Sequence, residues 1–187
     1  SGLNCRYIGL DINKNELNVA PHGAYDKTIA ADISDYKGSE DGDLVICMAL
    51  LEHVKDVNAA LVGIRSCLKP GGLCALFVPS KNAIFAKINR ILPEKLKQQI
   101  LFSLFPNAKK CQGFPAYYNR CTPCDIRDIA QSLGFEILDE RYYYISAYFS
   151  FFFPLYVLWR IYLLAFHWRA KEQAAETFGL ILKKKAT

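Results

Sequence analysis

Polar side chains follow short apolar segments at three points of the sequence, and each could contact a small molecule. Asp11 ends YIGLD, Asp32 ends TIAAD, and Glu52 and His53 follow DLVICMALL. An ionised carboxylate has two acceptor oxygens for hydroxyl or amino groups of a ligand, and a histidine can transfer a proton. Ordinary alternatives stay open, because an acid after a strand is often a solvated loop residue or a helix N-cap. His53 could likewise simply begin a helix.

The segments around these residues alternate between strand-like and helix-like patterns. This alternation predicts an α/β fold with a mostly parallel sheet that is covered by helices on both faces. Such a sheet binds ligands at the carboxyl ends of its strands, where Asp11, Asp32 and the residues after Met48 all fall. We predict strands at 6–12, 27–33, 43–48, 73–78, 135–144 and 177–182, and helices at 13–20, 57–68, 84–91, 94–105 and 123–133.

The cysteines favour a reduced protein without a metal. Seven cysteines, an odd number, are scattered through 187 residues, which favours free thiols and a cytosolic location over a disulfide framework. Cys121 and Cys124 form one CxxC pair, but a zinc site needs four ligands, and no second pair or close histidine accompanies them. We therefore predict no metal site. The chain length suits one domain with a sizeable core.

Basic residues are concentrated in two parts of the chain. The formal net charge is +5, and lysines and arginines gather within 81–110 and 169–185. Such patches can bind nucleic acid or an anionic membrane surface. The apolar segment beside the second cluster favours the membrane, so we predict no nucleic-acid partner.

The order of the motifs resembles a class I S-adenosylmethionine-dependent methyltransferase, within the type 11 group that includes ubiquinone-biosynthesis enzymes. The resemblance rests on YIGLDI, AADI, DLVICMALLEHV, LKPGGLCALFVPS, a Thr-Pro helix start and LGFEIL, with TFGLIL as the last strand. It implies a Rossmann-like sheet that is mostly parallel with an antiparallel last strand. It also implies a single domain over 1–187, with a lid insertion at 81–120 and an apolar insertion at 142–174.

The resemblance further implies a cofactor and a role for each strand end. Asp11 would accept hydrogen bonds from both ribose hydroxyls of S-adenosylmethionine, and Asp32 would meet the adenine. His53, as a candidate acid–base residue, would lie near the substrate. Alignment for in-line attack would provide most of the catalysis, because the sulfonium is already an activated methyl donor. The residues implied to contact the cofactor are Asp11, Ile12, Asp32, Ile33, Cys47, Met48 and Ala49.

The chain departs from the family pattern at its start. The family has a glycine-rich loop after its first strand, but no G-x-G-x-G precedes RYIGLDI. We therefore expect the sheet to lack its first strand, which lies at the sheet centre in this family. On this interpretation the chain is part of a longer or truncated protein, and could be inactive by itself.

A nearly uncharged segment lies close to the carboxyl terminus. From 147 to 166 its only charged residue is Arg160, and twenty helical residues would span ~30 Å, about the thickness of a bilayer core. In the resembled family the flanking strands are antiparallel neighbours, so a single crossing would separate them. We expect a hairpin bent at Pro154 or an interfacial helix, with peripheral membrane contact through 147–168. Packing on the domain or in a homodimer is the alternative. A narrow polar stripe is expected opposite a wide apolar surface, formed by Tyr156, Arg160, His167 and Lys171.

These expectations combine into one predicted function. The intact protein would transfer a methyl group from S-adenosylmethionine to a hydrophobic or lipid-linked small molecule, at the cytoplasmic face of a membrane. One alternative is a catalytically inactive methyltransferase-like module that docks a membrane or a partner, which the absent glycine-rich loop would favour. A nicotinamide-binding Rossmann domain also has an acid after its second strand, but LKPGG and the final antiparallel strand argue against it.

Overall fold

The computed structural model describes residues 5–91, 93, 115–145 and 152–186. Strands and helices alternate along these residues, as the sequence predicts. In chain order they are β1 (Ile8–Asp11), α1 (Lys14–Val19), β2 (Lys27–Ala30), β3 (Gly42–Met48), a 3₁₀ turn (Leu51–His53), α2 (Val57–Cys67), β4 (Leu68–Pro79), α3 (Ile84–Ile91), α4 (Pro123–Ser132), β5 (Phe135–Tyr143), α5 (Phe153–Ala170), a second 3₁₀ turn (Lys171–Ala174) and β6 (Thr177–Lys184).

The described strands form two sheets. β1 pairs with β2 in parallel, and the other four strands follow the order β3-β4-β6-β5. β3 is parallel to β4, whereas β6 is antiparallel to both of its neighbours. The predicted mostly parallel arrangement with an antiparallel last strand is therefore confirmed. The break between β1 and β3 falls where the resemblance predicts the absent strand.

Three strands of the larger sheet end at the same edge. Met48 at the end of β3 pairs with Phe77 of β4, and Pro79 at the end of β4 pairs with Thr177. Thr177 also pairs with Tyr143, the last residue of β5. The chain leaves each of these strands at this edge, so the first 3₁₀ turn, α3 and the connection to α5 all begin there.

The core lies between the larger sheet and the helices α2 and α4. The buried face of α2 consists of Val57, Ala60, Leu61, Gly63 and Ile64, which join a cluster that includes β4 and β6 side chains. Side-chain caps start both helices: Asp56 accepts the Ala59 N–H at 3.0 Å, and Thr122 accepts the Asp125 N–H at 3.2 Å. Each cap satisfies a backbone donor that the first helical turn leaves free.

A close contact ties α2 to the segment that follows β2. A Cβ atom on Gly63 would lie 1.9 Å from the carbonyl oxygen of Ile33, so only glycine permits this approach. Farther along, the Gly38 N–H donates to the Ser66 hydroxyl at 2.7 Å. Residues 33–40 thus pack along α2 and connect the two sheets.

The turn predicted at Lys69-Pro70-Gly71-Gly72 is a bulge within β4. Gly42 pairs with Leu68, but Leu44 pairs with Leu73, so four residues loop out of the ladder. Gly71 has φ +79°, a left-handed conformation that favours glycine. The helix predicted at 94–105 lies outside the described residues.

The apolar segment contains one unbroken helix, α5. Pro154 lies in its first turn, where a missing N–H costs nothing, so it starts the helix and does not bend a hairpin. Two residues of the predicted polar stripe contact the segment after β5: Arg160 Nη1 donates to the carbonyl oxygen of Tyr144 at 2.7 Å, and the His167 ring contacts the Tyr144 ring. His167 and Lys171 are nevertheless exposed to solvent. Among the residues that the structure describes, no helix has both the length and the apolarity that a membrane crossing requires.

Candidate active site

The two predicted cofactor carboxylates lie side by side at the carboxyl ends of β1 and β2. Asp11 pairs with Ala30, and its carbonyl oxygen accepts the Ala31 N–H at 3.0 Å, which brings Asp32 to the same edge. Asp11 Oδ1 accepts the Asn13 N–H at 2.7 Å, and Asp32 Oδ1 accepts the Ser34 N–H at 2.8 Å. Each local bond uses one carboxylate oxygen and holds the side chain at its strand end. The second oxygen of each carboxylate is therefore available for a ligand while the first one holds the local turn.

The two isoleucines that follow these acids differ in exposure. Ile12 is exposed to solvent at the strand end. Ile33 packs against the core cluster, and its carbonyl oxygen rests against Gly63. The packing of Ile33 therefore fixes the position of the neighbouring Asp32.

The end of β3 combines a buried thiol with a strained turn. Cys47 is buried, whereas Met48 is exposed. Burial, with a smaller effect of the Glu52 charge, raises the pKa of the Cys47 thiol to about 12, so this cysteine is not a nucleophile at neutral pH. Ala49 has φ +49°, which is rare for a residue with a Cβ and is often found at functional sites. Its N–H donates to the Phe77 carbonyl oxygen at 2.9 Å and holds this conformation.

Glu52, which follows the predicted third strand together with His53, is buried to a degree that the sequence does not predict. It is 3% exposed, and burial raises its pKa, against smaller opposite effects of a backbone hydrogen bond and of His53. Within the described part of the chain, its Oε2 atom has no hydrogen-bond partner. Its carbonyl oxygen accepts N–H groups from Tyr117 and Tyr118 at 2.7 and 3.0 Å. The sequence signal for this burial is the position of Glu52 in an apolar run, MALLEHV.

His53 lies beside this buried carboxyl group. Its Nδ1 atom is 3.1 Å from the carbonyl oxygen of Pro115, and because a carbonyl only accepts, Nδ1 carries the hydrogen. Its Nε2 atom is 3.7 Å from Glu52 Oε1. This separation exceeds a hydrogen bond, so the two groups interact electrostatically at contact distance, and the catalytic role of His53 stays a prediction.

The CxxC pair has a structural setting. Cys121 is buried directly before the Thr122 cap, and the Cys124 sulfur accepts a hydrogen bond from Gln173 Nε2 at 2.7 Å. Both thiols are free. Across the described residues, no group of three or more metal-ligating side chains comes together.

The candidate residues thus form two groups at strand ends. Asp11, Ile12, Asp32 and Ile33 come from the β1–β2 sheet, and Cys47, Met48, Ala49, Glu52 and His53 come from the end of β3. The Gly63–Ile33 contact and the Gly38–Ser66 hydrogen bond both connect the segment after β2 to α2, which packs on the larger sheet.

Comparisons with known proteins agree with this architecture. Residues 1–76 match the model of a family described as Methyltransferase domain. A solved S-adenosylmethionine-dependent methyltransferase from Archaeoglobus fulgidus is 16% identical, with a TM-score of 0.54 over 95% of this chain and 75% of that one. The fold is that of a class I S-adenosylmethionine-dependent methyltransferase. A second methyltransferase structure, from Mesorhizobium loti, is 15% identical with a TM-score of 0.55, and covers 95% of this chain and 79% of its own.

A curated relative extends the resemblance in sequence. The ubiquinone biosynthesis O-methyltransferase of Thiobacillus denitrificans is 24% identical over 143 residues, which is 73% of this chain. The chain spans only 57% of the length of that relative. The predicted family resemblance is therefore confirmed, and the methyltransferase fold is the frame in which the strand-end residues are interpreted below.

Proposed function

We propose that the protein transfers a methyl group from S-adenosylmethionine to a hydrophobic or lipid-linked small molecule. The observation that carries this proposal is the pair of carboxylates, Asp11 and Asp32, at adjacent strand ends of a methyltransferase fold. Ligands bind to open α/β sheets at these ends. When bound, S-adenosylmethionine would supply a methyl group that its sulfonium has already activated.

The residues at the strand ends fit the polar groups of this cofactor. Asp11 has an acceptor oxygen for each of two ribose hydroxyls, and Ile12 continues the strand end beside it. Asp32 and the Ile33 amide would bind the adenine, since the Gly63 contact holds that segment in place. Met48 and Ala49, with the buried Cys47 behind them, would line the methionine end.

His53 would accept the proton that the methyl acceptor loses, and Glu52 would position His53. Methyl transfer to a hydroxyl or amine releases a proton, and a neutral His53 Nε2 can accept it because Nδ1 already bears the hydrogen. Glu52, whose Oε1 atom lies 3.7 Å from His53 Nε2, would act as a positioning residue for the imidazole ring, and burial raises the pKa of its carboxyl group.

Support for an apolar acceptor comes from the helices at the same edge. α3 follows β4 directly, and both α3 and α5 expose apolar side chains, including Ile88, Ile91 and Leu158. The name of the Thiobacillus denitrificans relative, a ubiquinone biosynthesis O-methyltransferase, is consistent with an apolar acceptor. The free cysteines suit a reducing cytosol, so the acceptor would be met at the cytoplasmic face of a membrane.

Titration calorimetry of the full-length protein with S-adenosylmethionine tests this proposal. We expect Asp11→Ala to weaken binding at least tenfold, because a charged hydrogen bond contributes roughly 1.5–3 kcal/mol. Asp43→Ala is the matched control: Asp43 is an exposed acid at the opposite end of β3, paired with Lys69, and its loss should leave the affinity unchanged. Equal affinities of the wild type and Asp11→Ala would remove Asp11 from the site.

The alternative, an inactive module with a methyltransferase fold, makes a different prediction in the same experiment. It expects no binding of S-adenosylmethionine by the wild-type protein. Measurable wild-type affinity that depends on Asp11 would exclude it.

A further inference from the structure

The outward face of α5 is apolar and exposed over its whole length. Only Trp159 and Leu163 of its 18 residues are buried. On the opposite side, Leu158 is 65%, Ile161 59%, Leu164 61% and Trp168 83% exposed. A helix that is apolar all round is normally enclosed by protein or lipid, and contiguous apolar patches mark interaction sites. Among the residues that the structure describes, none covers this face.

Basic groups lie on both sides of this face. On one side, Arg160 and His167 adjoin Tyr144. On the other side, Lys87 of α3 donates to the Tyr162 hydroxyl at 3.1 Å and lies 4.8 Å from the centre of the Phe166 ring. Arg169 is exposed near the end of the helix. These contacts also fix α3 against α5, so the two helices form one surface.

The charge of the two helices has one sign, and the first acid after α5 is Glu172 in the second 3₁₀ turn. Residues 79–91 and 152–171 contain six lysines and arginines but no aspartate or glutamate. A second copy of the chain would bring two such basic flanks against each other, which is unfavourable. An anionic lipid surface instead matches both features, because the apolar side chains enter the interface while the flanking cations meet the headgroups.

We propose that the outward face of α5, together with α3, docks on a membrane surface that contains anionic lipid. α5 would lie in the plane of the interface, with Leu158, Ile161 and Leu164 among the acyl chains. Trp168 would sit at the headgroup boundary, where tryptophan is enriched. Docking of this kind is peripheral and does not require α5 to cross the bilayer.

Docking in this way would turn the candidate active site toward the lipid. The connections to both α3 and α5 leave the sheet at the edge where β3, β4 and β5 end. An apolar acceptor could then pass from the membrane to the site without entering water. This part of the inference rests on the proposed function, whereas the docking itself does not depend on S-adenosylmethionine.

Vesicle flotation of the full-length protein tests the docking surface. We expect flotation with phosphatidylcholine vesicles that contain phosphatidylglycerol, weaker flotation with phosphatidylcholine alone, and a loss at high salt. Combined Leu158→Ser, Ile161→Ser and Trp168→Ser should reduce the bound fraction at least tenfold, because three apolar side chains no longer leave water. Val19→Ser with Val62→Ser, at exposed positions of α1 and α2, is the matched control and should float like the wild type.

A charge variant separates the two features of the surface. Lys87→Gln with Arg169→Gln should weaken binding to the anionic vesicles by roughly fivefold for each charge, and should leave the weak binding to phosphatidylcholine unchanged. The melting temperature of each variant checks that the fold is retained.

Several outcomes would overturn the docking proposal. They are absence of flotation with anionic vesicles, flotation of the triple serine variant equal to the wild type, and a wild-type dimer that the triple variant converts to monomer. Calorimetry with S-adenosylmethionine on the same samples separates the two proposals. Lost cofactor binding with intact flotation contradicts only the enzyme, and the reverse result contradicts only the docking surface.

Discussion

The helices α2 and α5 differ in how much of their apolar surface they bury. α2 buries five of its 11 residues on one face and starts with a side-chain cap from Asp56. α5 is longer and far more apolar, yet it buries two residues and has no side-chain cap at its start. α2 is therefore explained by the core that it helps to form. The outward face of α5 contributes nothing to that core, so its apolar character requires another explanation.

The difference shows that an apolar residue on a helix can serve either the core or a binding surface. Leu61 is fully buried in the core cluster, and removing it from water stabilises the fold. Leu158 is a leucine on a helix as well, but it is mostly exposed, and exposure of several such residues lowers solubility without a gain in stability. Residues of this second kind are best explained by what they bind.

Truncation of the two leucines gives the largest contrast between the helices. Leu61→Ala should lower the free energy of unfolding by about 3 kcal/mol, since it leaves a cavity in the core. Leu158→Ala should change it by less than about 0.5 kcal/mol, as is usual at exposed positions. Urea denaturation of both variants measures the difference. A large loss for Leu158→Ala would mean that α5 belongs to the core after all.

A buried carboxyl group directly before α2 gives a smaller expected effect on stability. Glu52, just before α2, is buried, and burial raises its pKa above the ordinary value of 4.5. Between about pH 4.5 and the raised pKa, Glu52 holds its proton more tightly in the folded protein than in the unfolded chain. The contribution of this group to the free energy of unfolding therefore falls as the pH rises through that window.

Glu52→Gln removes this loss and leaves a similar shape. The variant should gain stability relative to the wild type as the pH rises across that window, by about 1.4 kcal/mol for each unit by which the pKa is raised. Denaturation at several pH values measures the difference between the two proteins, in which contributions from the other carboxyl groups cancel. A difference that does not vary with pH would contradict a raised pKa of Glu52.

Much of the framework could be predicted from the sequence because its patterns are periodic and its ends are marked. α2 was predicted at 57–68 and lies at Val57–Cys67, with Lys69-Pro70-Gly71-Gly72 as the stop signal. α3 lies at the predicted 84–91. Asp11 and Asp32 fall at strand ends because an acid closes each apolar run.

The orientation of α5 could not be predicted in the same way. Periodicity identifies the buried face of a helix only when its faces differ in polarity, and α5 is apolar on nearly every side. The sequence predicts a polar stripe that includes Arg160 and His167 but not what it contacts, and in the structure the carbonyl oxygen of Tyr144 accepts a hydrogen bond from the arginine. The burial of Glu52 depends on the contact with residues 115–118, which is distant in sequence and leaves no local signal.

A crystal structure of the full-length protein with S-adenosylhomocysteine would show whether Asp11 and Asp32 bind the nucleoside of the cofactor. This product of methyl transfer carries the same ribose and adenine as the cofactor. We expect both ribose hydroxyls within hydrogen-bonding distance of the Asp11 carboxylate, the adenine beside Asp32 and Ile33, and the sulfur directed toward Ala49. A nucleoside bound away from the carboxyl ends of β1 and β2 would contradict this expectation.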